Sequence, residues 1–328
     1  MNLHENTKLF NEAVRATAQQ MEILDIYIEK DYWVTKALHA IYSSEIASQV
    51  VFKGGTALSK CYRLIERFSE DIDLVTLRSV EETGSQLKKK LKEIYNAVNP
   101  IMPEVNVPGI TNKRGMIRKT AHEYPKVFRG KYGQVRDKVI LESSWLGHYE
   151  PYHSQEISSY IYEMMLQSGQ YELINEYSME PFPVQVLDVR RTLCEKVLSL
   201  VRFSHTQEPI NDLKLKIRHL YDLHMLLRDK NIQAFLNSDE FVEMLNKVGN
   251  DDVEGYINNN DWLIHHPFKA IVFSKPKEVW SELQKSYSID FKPLVFGEFP
   301  ESSKILGSLE SLSSRIKVIS WSVNLDVK

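Results

Sequence analysis

The chain has 328 residues, enough at roughly 150 per domain for two domains or one large one with an extension. Hydrophobic residues make up 43% and charged residues 26%, which excludes wholesale disorder, while 13 Gly and 12 Pro exclude a collagen-like or linker-dominated chain. With 41 Lys and Arg against 44 Asp and Glu, the net charge of −3 excludes a globally basic nucleic-acid coat, so any such contact must use a local patch.

No run approaches the ~18 consecutive apolar residues of a transmembrane helix, and the amino terminus reads as a soluble helix rather than a signal peptide. Two cysteines, Cys61 and Cys194, are too few for a disulfide scaffold or a zinc site, and both fall inside expected helices as buried, inert thiols. The expected location is cytoplasmic, with no membrane partner.

Helices are expected over 8–22 and 25–43, the second with Ile26, Trp33, Leu38 and Ile41 on its core side. Val50-Val51-Phe52 reads as a short strand stopped by Lys53-Gly54-Gly55-Thr56, with a helix starting near Thr56 and running through Leu58, Tyr62 and Ile65. Asp71-Ile72-Asp73-Leu74-Val75 reads as a second strand, and 81–97 as a helix with Lys88, Lys89, Lys90 and Lys92 on or near one face. Residues 101–135 are Gly/Pro-punctuated strands and loops, and 136–145 form a third strand ending Val139-Ile140-Leu141-Glu142. Beyond 170 the pattern is helical, over 186–204, 212–230 and 238–248, with a loop at Gly255–Asp261. The expected fold is α+β. Residues 1–170 would form a catalytic domain with its N-terminal helices, and 171–328 a helical domain completing the site, with the boundary somewhere in 150–185.

The most informative constellation is the glycine turn followed by Asp71-x-Asp73. Residues two apart on a strand share a face, so both carboxylates project together while Ile72 and Leu74 face the core. Converging carboxylates repel unless a cation sits between them, and oxygen ligands with open positions suit Mg²⁺ or Mn²⁺. A glycine turn opening a helix offers backbone N–H groups to a triphosphate, with a hydroxyl from Thr56 or Ser59. A solvated strand edge and an ordinary turn would contain the same residues. The order strand, Gly-Gly-Thr, helix, D-x-D strand is what narrows the choice, and neither common phosphate-loop pattern is present.

Lys53-Gly-Gly-Thr-Ala-Leu-Ser-Lys60 with Arg67-Phe-Ser-Glu-Asp-Ile-Asp-Leu74 resembles the polymerase-β-type nucleotidyltransferase signature, in wording closest to the AbiEii/AbiGii-like toxins. Glu29-Lys-Asp-Tyr-Trp33, Arg191-Thr-Leu-Cys-Glu-Lys196 and Arg218-His-Leu-Tyr-Asp-Leu223 extend the resemblance over roughly 25–230, with a weaker echo in Tyr287–Phe299. The resemblance implies a mixed-sheet nucleotidyltransferase domain flanked by helices and joined to a mostly helical lobe. It implies metal-dependent transfer of a nucleotide from an NTP, pyrophosphate leaving, by the toxin of a toxin–antitoxin or abortive-infection system whose antitoxin is encoded nearby. It also implies an RNA acceptor such as the tRNA 3′ end. The site residues would be Asp71 and Asp73 on the metal, with Lys53, Gly54, Gly55, Thr56 and Ser69 on the nucleotide.

Three further residues join the site. Glu142 ends its strand on the face of Ile140, placed as a third carboxylate or a general base, or as half of a salt bridge. Lys196 lies beside the apolar stripe of Leu193, Val197, Leu200 and Val201, so its ammonium needs a partner, for which a triphosphate or an exit to water would serve. Asp222 would orient Lys196, hold the ribose, or pair with Arg218; Arg191 and Glu195 form an i,i+4 pair. Segment 113–138 holds nine Lys/Arg against two acids, with Tyr124, Phe128 and Tyr132 interleaved, and could track RNA phosphates while its rings stack on bases, or be plain solvated surface. Two rival functions stay open: transfer onto a small molecule of the aminoglycoside kind, and a non-catalytic nucleotide-binding interaction module.

Overall fold

The computed structural model describes residues 2–69, 71–130, 135–146, 149–256 and 259–325. The chain forms two compact units, one of residues 1–63, 67–145 and 152–186, the other of 64–66, 146–151 and 187–328.

The first unit opens with α1 (Thr7–Met21) and α2 (Asp25–Tyr42), followed by β1 (Val50–Lys53), α3 (Gly54–Lys60), β2 (Asp71–Thr76) and α4 (Gly84–Val98). The short β3 (Glu104–Val105), then β4 (Ile117–His122), β5 (Val139–Ser144), β6 (Tyr152–Ile157), α5 (Tyr160–Gln167), α6 (Tyr171–Glu176) and β7 (Phe182–Leu187) complete it. The strands make one mixed sheet in the order β3-β4-β5-β2-β1-β7-β6. β1 runs antiparallel to β2 with Lys53 opposite Asp73, and β2 runs parallel to β5 with Asp71 beside Ile140 and Asp73 beside Glu142.

Burial explains this order. Val50, Val51 and Phe52 are all buried, as an interior strand covered on both faces requires. In β2 the pleat buries Ile72 and Leu74 and leaves Asp71 and Asp73 half-buried on the other face. α3 begins at Gly54 and ends at Lys60, short of Tyr62 and Ile65, because Arg63 turns the chain with a φ of 54°. β6 and β7 occupy stretches where no strand was expected. β6 is exposed along its first five residues and carries no apolar run, whereas β7 reaches into the expected helix at 186 because Val186 pairs with Phe52.

The Glu29–Trp33 segment is framework. It lies on α2 wholly buried, charged residues included, and each charge is satisfied. Glu29 accepts the Val127 and Phe128 N–H groups at 2.6 and 3.1 Å, Lys30 donates to the Arg136 carbonyl, and Asp31 accepts from Lys60 Nζ at 2.6 Å and the Tyr160 N–H at 2.8 Å. One helical turn thereby pins the backbone at Val127, Phe128 and Arg136, together with α3, to the same scaffold.

The second unit contains α7 (Val189–Phe203), α8 (Pro209–Leu215), α9 (Ile217–Leu226), α10 (Lys230–Asn237), α11 (Asp239–Gly255), α12 (Ile271–Ser274), α13 (Pro276–Lys285) and α14 (Ser302–Lys317). Asp188 starts α7 by accepting the Arg190 N–H at 2.8 Å. Arg191, only 1% exposed, pairs with Glu195 as the i,i+4 spacing predicts, and also with Asp251 on α11. The loop expected at Gly255–Asp261 falls in part outside the described residues. Among the described residues no helix is long and apolar enough to cross a membrane.

Candidate active site

Gly54, Asp71, Asp73 and Glu142 meet on one face of the first unit because β1, β2 and β5 are neighbours in register. Gly54 sits at a φ of 81°, and a Cβ there would overlap Asp73 Oδ2. Only glycine combines that backbone with that approach. A Cβ on Gly55 would come within 2.7 Å of Arg67 Nη2 and 2.9 Å of Ser69 Oγ, so Gly54 lets Asp73 approach the turn and Gly55 lets Arg67 and Ser69 do so.

Gly54→Ala is therefore expected to destabilise the protein by about 1–3 kcal/mol and to cut transfer activity by displacing Asp73. Urea melts and a labelled-nucleotide assay check both effects; an alanine variant with wild-type melting and turnover would show that the close approach is dispensable.

The electrostatics mark Asp73 as the focus. Desolvation, then the charges of Glu142 and Asp71, push its carboxyl up to about 7, against the opposing pull of Lys53 and Lys119. A carboxylate in that field gains from a cation, and the donors present are hard oxygens suited to Mg²⁺ or Mn²⁺. Among the described residues no three His, Cys, Asp or Glu side chains are grouped to hold an ion by themselves. The groups here that could hold such an ion are the Asp71 and Asp73 carboxylates, half-buried on one face of β2.

The other expected residues are placed as follows. Thr56 is buried, and its hydroxyl donates to the Asp71 carbonyl at 2.6 Å and lies 3.1 Å from Ser69 Oγ, so it ties α3 to β2 rather than facing a ligand. Ser59 meets the Tyr160 hydroxyl at 3.2 Å. Glu142 pairs with Lys119 of β4 at 2.6 Å, and that bond, with the fields of Asp71 and Asp73, holds the Lys119 ammonium above its ordinary range against the effect of burial. Lys119 belongs to the expected RNA segment but neutralises the carboxylate face instead.

Other members of that segment are also engaged. Tyr124 is 2% exposed and stacks on Trp33, and Phe128 is buried, so neither ring is available to stack on a base. Both are held inside because Glu29 pins the adjoining backbone. Lys113 pairs with Glu104, Lys126 and Lys138 with Asp137, and Arg118 lies over Tyr95. Arg114 and Arg129 are exposed, whereas Lys131 and Tyr132 lie outside the described residues. Arg136, which local sequence gave no reason to single out, comes within 3.9 Å of Asp71 Oδ2.

In the second unit Lys196 is 5% exposed and donates to Asp222 Oδ2 at 2.7 Å, with His219 Nδ1 at 3.4 Å. Asp222 is fully buried. His219 and Asp222 are three apart on α9, a spacing that puts both on the face meeting α7. Sequence reasoning missed His219, although the i,i+3 relation to Asp222 was visible.

The family model for the nucleotidyl transferase AbiEii toxin, type IV toxin–antitoxin system, matches residues 36–305. Among solved structures the chain is similar to MenT4, a nucleotidyltransferase toxin from Mycobacterium tuberculosis. The TM-score is 0.56 and the identity 13%, over 94% of this chain and 90% of that one. No curated protein sequence matches the chain.

Proposed function

The chain belongs to the AbiEii nucleotidyltransferase toxin family, and from that premise we propose that it transfers a nucleotide from an NTP to RNA, at the 3′ end of tRNA. The observation that carries the reading is the glycine turn packed against Asp73, beside Asp71, with the Asp73 carboxyl pushed up to about 7. Asp71 and Asp73 are the residues that would hold Mg²⁺ or Mn²⁺. When bound, that ion neutralises charge building on the transferred phosphoryl group. Lys53 and the Gly54–Gly55 backbone would hold the leaving phosphates, with Ser69 at the turn and Thr56 fixing its position. Glu142 would take the proton of the attacking hydroxyl. Lys196, set by Asp222, would neutralise triphosphate charge.

Membership of a type IV toxin–antitoxin family supports an antitoxin as partner, which we propose is encoded nearby. Incubating the protein with each labelled NTP, Mg²⁺ and total RNA is expected to label one RNA size class, and to stop when a chelator is added. Label on a small molecule instead of RNA would replace the acceptor, and chelator-resistant transfer would remove the metal.

A further inference from the structure

The central strand β2 divides the site into two flanks. On the β1 flank stands the Gly54–Gly55 turn, against the Asp73 carboxylate. On the β5 flank opens a cavity of about 420 Å³ whose lining includes Val107, Ile110, Val135, Arg136, Lys138 and Ile140. That volume lies within the range of ligand pockets, about 300–1,000 Å³. Ile140 is the β5 residue in register with Asp71, and Arg136 links the cavity to the same carboxylate across 3.9 Å.

We propose that this cavity receives the terminal nucleoside of the acceptor strand, with Arg136 on the phosphate that precedes it. The inference rests on the nucleotidyl-transfer reading, and the direction of that reaction supplies the argument. Entering and leaving oxygens stand roughly in line across the phosphorus. The acceptor hydroxyl oxygen forms a bond to the α-phosphorus, and the α–β bridging P–O bond breaks. Its electron pair departs on pyrophosphate, and the hydroxyl proton passes to a carboxylate. With pyrophosphate on the β1 flank, the hydroxyl enters from the β5 flank, where Glu142 stands beside Asp73.

The lining suits this occupant. Val107, Ile110, Val135 and Ile140 offer β-branched apolar walls to a flat base, while Arg136 offers a cation to its backbone; Asp137 also lines the cavity and is paired with Lys138 and Lys126. The Arg136 side chain is 47% exposed, so it can turn to a ligand, yet its backbone is fixed by the buried Lys30. A residue anchored in this way keeps its guanidinium within reach of one phosphate position.

The test is transfer of label from an NTP to unfractionated RNA in Mg²⁺, varying NTP and RNA separately, for wild type, Ile110→Trp, Arg136→Ala and Arg136→Lys. Ile110 is half-buried, so a tryptophan there can fill the cavity without entering the core, and Arg136→Ala serves if that variant melts early. The RNA concentration at half-maximal rate is expected to rise about tenfold or more for Ile110→Trp and Arg136→Ala. The NTP value should stay within about twofold, and Arg136→Lys should recover part of the loss. Unchanged RNA dependence in folded variants overturns the proposal, and so does a rise confined to the NTP value, which would give the cavity to the incoming base. Absence of transfer by wild type overturns the parent reading, and this one with it.

Discussion

Asp73→Asn is expected to lower the transfer rate on the order of 10³-fold or more while making the metal-free protein more stable at pH 8. Two opposite effects follow from one position. The carboxylate is one of the two groups assigned to the cation, so the amide removes a ligand where charge develops. In the absence of a cation, the same carboxylate sits desolvated beside Glu142 and Asp71, which raise its proton affinity to about 7. The folded state therefore holds a proton that the unfolded chain releases in the ordinary carboxylate range. Stability conferred by that proton declines as pH rises from there to about 7, and is fully lost above it. Asparagine carries no such titration. Its melting temperature should exceed that of wild type at pH 8, on the order of 2–4 °C for each kcal/mol recovered, and the two should converge near pH 4. Wild-type protein should gain more from added Mg²⁺ at pH 8 than at pH 5. Calorimetry in chelator and in Mg²⁺ separates these outcomes, and full activity in the asparagine variant would sink the metal assignment.

Lys196→Ala is expected to destabilise the second unit by about 3–5 kcal/mol as well as to impair transfer. Sequence alone suggests the reverse for stability, since a lysine beside an apolar stripe looks better replaced by a small apolar residue. The 2.7 Å bond to the fully buried Asp222 changes the sign. Truncation takes the counter-charge from a carboxylate that has no route to water. Removing both charges, as in Lys196→Met with Asp222→Leu, should restore most of the stability and none of the activity. A double-mutant cycle from urea melts gives the coupling. A Lys196→Ala protein that melts like wild type would show that the pair contributes nothing to folding and exists for the nucleotide alone.

Much of the local geometry of the candidate site was legible in the sequence. The pleat of β2 is a two-residue pattern, so Asp71 and Asp73 on one face with Ile72 and Leu74 beneath could be read from four letters. The glycine pair announced a turn because a strand of Val-Val-Phe ran straight into it, and the apolar spacing of α1 and α2 placed them within a residue or two. Family wording supplied Lys196 and Asp222, which periodicity alone left undecided.

Tertiary structure decided which partner each polar group found. Glu142 took Lys119 from the adjoining strand, Lys196 took Asp222 from 26 residues away, and Arg136 came to Asp71 across 65. Thr56 spent its hydroxyl on a backbone carbonyl, and Tyr124 and Phe128 turned inward because a buried glutamate on α2 held their backbone. β6 and β7 were settled in the same way, by places in a sheet whose other strands lie far off in sequence. The physical reason is common to all of them. Helix and strand patterns repeat every few residues and are written into the chain, whereas the partner of a buried charge is whichever group the packed sheet and helices bring within about 3 Å, and no local period records it.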